Sequence, residues 1–253
     1  MNASDIRLIY LIFFLLELGW ETILTRLNLL FLQKTRGSVP EEFAASVDSA
    51  TYERSAAYNL ERGRFSLLAN FASSLVVLAL IFPGALGLID VFFRQWNIHP
   101  YIAGILFIFG VSLILYVCAL PFSLYSQFVV EERYGFNKMT GGLFVRDAVK
   151  SLVVSVVVFS PLLAALFWFM DSAGRYWWII AFGFTALFQL FVSLLYPLLI
   201  APLFNKFTTL EEGHLREKIA ALAHRLSFNI KGVFVMDGSK RSRHSNAYFT
   251  GLG

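Results

Sequence analysis

Few residues of this 253-residue chain can do chemistry, and their spacing limits what they can do. Glu17, Glu21 and Asn28 stand in an apolar stretch and fall on one face of any helix formed there, with Arg26 about a turn away. A charge at mid-membrane costs a few kcal/mol or more, so such residues turn toward protein or water. Two readings stay open for them: a polar chamber or pathway inside a bundle, or carboxylates that pair with a neighbouring helix or sit near the membrane surface. The four histidines are His99, His214, His224 and His244. A helical zinc-protease site needs two His at i and i+4 with a Glu beside the first, so that both imidazoles share a face. None of the four has a His four positions on, and none is followed by Glu. His214 and His224 read as surface residues of an amphipathic helix. His244 is more open, because it adjoins a candidate strand. The single cysteine, Cys118, excludes an internal disulfide and a cysteine-built zinc site. Glycine-rich phosphate loops and nucleophile elbows are absent. Lys240, Arg241 and Arg243 read as a solvated loop, with anionic lipid as good a partner as any, and no nucleic acid is expected. The chain by itself therefore holds no complete catalytic or metal-ligating set.

The elements that must position these residues are membrane helices. Hydrophobic residues make up 57% of the chain, charged residues 15%, and mean hydropathy is +0.65. Soluble domains carry roughly 45–50% apolar and about 25% charged residues, so a soluble enzyme and a disordered chain are both excluded. A span needs about 20 apolar residues. Five segments qualify: 6–32, 65–89, 98–130 (part of it loop, with the span at 101–122), 151–170 and 177–203 (span 177–200). The last four contain no Asp, Glu, Lys or Arg. The first is too long and too charged for a cleaved signal peptide. Of the 21 cations, Arg7, Arg94 and Arg175 fall on one side and eighteen on the other. The positive-inside rule then puts the N-terminus outside or lumenal and the tail in the cytoplasm. Pro40-Glu41-Glu42 reads as a helix start, which predicts a cytoplasmic helix over 40–64 running into the second span.

After the fifth span the composition becomes that of a small soluble region. Thr209-Leu210-Glu211-Glu212 reads as a capping box, ahead of an amphipathic helix with Leu215, Ile219, Leu222 and Leu226 in its stripe. Val233–Met236 is a β-rich run followed by an Asp237-Gly238 turn. Asn246-Ala247-Tyr248-Phe249 is a second candidate strand. The chain ends shortly after it, which predicts a truncated domain over 205–253 beside a membrane bundle over 1–204.

Three stretches together resemble one family, the type I CAAX prenyl proteases, which are multi-spanning zinc metalloendopeptidases. They are Trp20-Glu21-Thr22-Ile23-Leu24 with Arg26, then Phe128 to Thr140 with its Glu131-Glu132-Arg133-Tyr134-Gly135-Phe136-Asn137, and a third set. That set comprises Tyr196-Pro197, Pro202 to Phe207, Asp237 to Ser242, and His244-Ser245-Asn246-Ala247-Tyr248-Phe249-Thr250-Gly251. The resemblance implies an all-α polytopic bundle of seven helices around a water-filled chamber, with a small cytoplasmic α/β zinc-protease domain. This chain would supply five helices and the opening of that domain. The His-Glu-x-x-His helix and the later Glu ligand would lie beyond Gly253, so zinc belongs to the complete protein and the chain alone is expected to be inactive. Asn246-Ala247-Tyr248 looks like the edge strand that pairs the substrate backbone in thermolysin-like proteases, since free edge groups can receive an extended peptide. Glu17, Glu21, Glu131, Glu132, Asn137 and His244 become candidates for lining the chamber or for loop contacts. The implied partners are the lipid bilayer, a peptide or membrane-protein substrate such as a prenylated CAAX protein, and the C-terminal remainder of the protease. The implied location is a bacterial inner membrane or the endoplasmic reticulum membrane. The competing class is a non-catalytic channel, transporter or scaffold built from the same helices.

Overall fold

The computed structural model describes residues 2–37 and 39–249. Thr250 and Gly251, the end of the third stretch, lie outside the described residues. The chain forms two compact units, Met1–Gly135 and Phe136–Gly253.

In the first unit, α1 (Ala3–Thr35) and α2 (Ser49–Ile81) are 33 residues each and pack on one another. At 1.5 Å per residue each is about 50 Å long, well beyond a hydrocarbon core of about 30 Å, so the polar end of α2 projects from the membrane. The helix start expected at Pro40 falls instead at Ser49. Glu41–Phe43 makes only a 3₁₀ turn, and Asp48 caps α2 by accepting the Thr51 N–H at 2.9 Å. The short Asp48 side chain reaches an unpaired backbone donor of the first turn, which the Pro40 ring cannot do. The second apolar stretch is also divided. It breaks at Pro83-Gly84, where Gly84 takes φ +80°, and α3 (Ala85–Arg94) follows. α3 packs on α4 (Pro100–Tyr125). A Cβ at Gly110 of α4 would come within 2.9 Å of the Phe93 ring, so only glycine allows this approach. Of the loop expected inside 98–130, only Ile98 and His99 lie outside helix. α4 runs on through a π-helical turn at Ser126–Val130 into the short α5 (Glu131–Arg133), because surplus helix can extend past the hydrocarbon core.

In the second unit, Thr140 caps α6 (Gly141–Ser172) by accepting the Leu143 N–H at 3.2 Å. The helix therefore begins ten residues before the predicted span and carries Arg146, Asp147 and Lys150 in its first turns. A tight turn leads to α7 (Trp177–Leu195), and Phe169 meets Phe184 across the pair at 5.3 Å. A π-helical turn at Tyr196–Ile200 and α8 (Ala201–Phe204) end the fifth span.

The tail carries a two-stranded antiparallel sheet. β1 (Phe207–Thr209) pairs with β2 (Phe234–Met236) in the register Phe207↔Met236. Between them lies α9 (His214–Arg225). The expected capping box does not form, because Thr209 pairs with Phe234 in the ladder and Gly213 holds the cap position. Asn246–Phe249 is not a strand, since no described neighbour supplies the ladder that a strand requires.

Few side chains are buried in either unit. The core positions are mostly small or lie near the π turn, such as Ala56, Leu60, Ala201 and Val130. Large apolar residues along the spans stay uncovered, among them Phe13, Phe182 and Leu187. That pattern suits helices whose solvent is lipid rather than water.

Candidate functional site

The polar end of α2 and the 131–135 segment form one network. The Tyr58 hydroxyl donates to Glu131 Oε1 at 2.5 Å, and Arg62 donates to that hydroxyl at 3.3 Å. Tyr58 lies edge-on to Tyr134, with ring centroids 5.2 Å apart. Arg133 pairs with Glu61 Oε1, while the Tyr134 hydroxyl donates to Glu61 Oε2 at 3.0 Å. Arg54 donates to the Tyr134 carbonyl at 3.0 Å. Burial, then the bond to Glu61, raises the Tyr134 hydroxyl above its ordinary pKa, so it remains a donor. Glu131 is thus held by α2, and Glu132 is exposed beside it.

In the second unit the arrangement turns on Arg241. Its guanidinium donates to Asp147 Oδ2 at 2.7 Å, to Asn205 Oδ1 at 2.6 Å and to the Phe204 carbonyl at 2.8 Å. The planar fork of arginine can meet three acceptors at once, which a lysine cannot do in fixed geometry. Asp147 Oδ1 is buried and has no partner among the described residues. The backbone continues the contact: the Lys138 N–H donates to the Arg241 carbonyl at 3.0 Å, and the Arg243 N–H donates to the Phe136 carbonyl at 2.9 Å. Asn137 bridges to Ser242 and folds its own loop by accepting the Met139 N–H at 2.8 Å. The His244 ring stacks on Phe136 with centroids 4.2 Å apart. The solvated loop expected at 240–243 is therefore corrected at Arg241, whose side chain is only 19% exposed.

This clasp brings Asn137 and His244 onto one short stretch of backbone pairing. Asn246, Ala247 and Tyr248 follow it and are exposed, and the Asn246 side chain accepts the neighbouring Ala247 N–H at 2.8 Å. Glu17 and Glu21 are exposed along α1. Asp147 and Tyr58 went unnoticed in the sequence. Asp147 lies 94 positions from its partner, and no local pattern signals such a pair. Among the described residues no three His, Cys, Asp or Glu side chains gather as metal ligands would.

Among the described residues, five helices long and apolar enough to cross a bilayer, with apolar faces uncovered, define a multi-pass α-helical membrane protein. Residues 28–206 match the family model described as CAAX prenyl protease N-terminal, five membrane helices, and the chain belongs to that family. It is 38% identical over 222 residues to a CAAX prenyl protease 1 homolog of Arabidopsis thaliana, covering 85% of this chain and 52% of the relative. It is 36% identical over 247 residues to the human homolog, covering 92% and 50%. The crystal structure of S. mikatae Ste24p superposes with a TM-score of 0.87 at 32% identity, over 95% of this chain and 57% of that one. The chain spans about half the length of these relatives.

Proposed function

We propose that this chain is the membrane portion of an integral-membrane zinc endopeptidase that cleaves prenylated CAAX proteins. The observation that carries the reading is the Arg241 clasp. It holds the 237–244 segment against α6 and the end of α8, and so fixes where Asn246-Ala247-Tyr248 leaves the fold. In this reading residues 1–204 form the bundle and 205–253 begin the cytoplasmic protease domain. The N-terminus is outside or lumenal, and Glu17 and Glu21 face a polar chamber. Glu131 and Glu132 serve as loop contacts in the first unit, and Asn137 and His244 in the second. Zinc, held by the complete protein, would supply Lewis-acid activation for peptide-bond hydrolysis. Asn246 and its neighbours receive the substrate backbone.

The test is cleavage of a farnesylated CAAX peptide by the full-length protein. Asn246→Ala removes an amide contact whose unpaired partner costs roughly 1–3 kcal/mol, or about 5- to 150-fold in rate, with the melting temperature unchanged. Full activity together with a lowered melting temperature would show that Asn246 only supports a turn.

A further inference from the structure

A cavity of about 460 Å3 opens where α1 ends and the polar part of α2 passes it, lined by Gln33, Arg36, Leu60, Glu61, Arg64 and Tyr134. The two helices come close here because Gly63 faces Leu29; a Cβ at Gly63 would lie 2.6 Å from the Leu29 side chain. That approach brings Arg36 and Arg64 to one opening although they are 28 residues apart.

Charge balance in the cavity favours an anion. Both oxygens of Glu61 are engaged, one by Arg133 and one by Tyr134. Arg36 touches Glu53 through one nitrogen at 3.2 Å, and both side chains are about half exposed or more, so this pair is easily exchanged. Arg64 makes no hydrogen bond or ion pair among the described residues. Its whole guanidinium fork is available, and that geometry matches phosphate oxygens two at a time.

Position narrows the source of the phosphate. Gln33 directly follows the last apolar residue of α1, Leu32, and Arg64 directly precedes the apolar run of α2 that starts at Phe65. Both arginines therefore stand at the edge of the hydrocarbon, the level of phospholipid headgroups. Leu68, one turn further into the membrane from Arg64, is 59% exposed and offers a surface for an acyl chain.

We propose that this cavity binds the phosphate headgroup of an anionic phospholipid, clamped by Arg64 and Arg36. Inorganic phosphate shares the chemistry but gains nothing from the apolar border, so it serves as the contrasting probe. The full-length protein in detergent is titrated with dioctanoyl phosphatidic acid, with dioctanoylglycerol and with inorganic phosphate, and bound probe is read by calorimetry. The phosphatidic acid is expected to bind at least tenfold more tightly than either control. Arg64→Gln should weaken it at least tenfold, while Arg94→Gln on α3 leaves it unchanged. In the unmodified protein, phosphatidic acid should slow the reaction of Arg64 with phenylglyoxal, read by mass spectrometry, which needs no variant to fold. Undiminished binding by a folded Arg64→Gln protein, or an unprotected Arg64, overturns the site. Equal binding of inorganic phosphate assigns it to a free anion and overturns the lipid, and equal binding of dioctanoylglycerol leaves only an apolar contact and overturns the phosphate.

Discussion

Removal of the Arg241 side chain tests the clasp most directly. Arg241→Ala deletes three donated bonds, to Asp147 Oδ2, Asn205 Oδ1 and the Phe204 carbonyl. It also leaves the Asp147 carboxylate without its cation, in a place where Oδ1 already has no partner. Breaking a fully buried ion pair from one side costs about 3–5 kcal/mol. Here the side chains are 19% and 15% exposed, so water recovers part of that and about 2–4 kcal/mol remains. The cost falls on the local docking of 237–244, because the 32-residue α6 is held by its own backbone hydrogen bonds. Local opening should rise by about 30- to 700-fold. Amide hydrogen exchange in nanodiscs reads this at the Lys138 N–H, bonded to the Arg241 carbonyl, and at the Arg243 N–H, bonded to the Phe136 carbonyl. Both should lose protection while the middle of α6 does not. Arg241→Lys keeps the charge, cannot span three acceptors, and should fall between the two. Unchanged exchange at both amides in Arg241→Ala would refute the claim that the guanidinium holds this segment.

Three other outcomes follow from the geometry. Asp237 accepts the Lys206 N–H at 2.7 Å and pairs with Lys240 at 2.7 Å; the Lys240 contact chiefly holds its pKa below the ordinary 3.8. A depressed carboxyl pKa stabilises the fold above the unfolded value and stops doing so as pH falls through the folded one. The β1–β2 pairing should therefore hold at pH 5–7 and loosen below about pH 4, as read by exchange at Asp237, and a flat profile down to pH 2 would contradict it. Gly110→Ala sets a methyl group against the Phe93 ring and should cost about 1–3 kcal/mol, seen as a lower melting temperature, whereas Gly87→Ala meets nothing within 4 Å and should not lower it. For orientation, with Cys118 replaced by Ser, a membrane-impermeant thiol reagent applied outside should label Asp171→Cys and spare Glu211→Cys; the reverse would invert the proposed topology.

The spans were legible in the sequence because a bilayer imposes a length and a polarity that composition alone can satisfy. The 65–81 part of α2 and the whole of α7 contain no charged residue, and no tertiary partner is needed to read them. Helix ends were less legible, since a cap depends on backbone geometry: Asp48 starts α2 although Pro40-Glu41 is as good a signal by residue type, and Thr209 joins a ladder instead of capping α9. The family wording marked Asn137 and His244 as candidate contacts, whereas Arg241 read as part of a solvated loop, and residue types alone did not bring the three together. What the tertiary structure decided was the pairing of distant groups. Arg241 meets Asp147, 94 residues earlier, and Glu61 meets Tyr134, 73 residues later. Hydrophobic burial is non-directional and leaves a periodic trace along the chain, whereas an ion pair between remote segments leaves none until the backbone brings its two ends within about 3 Å.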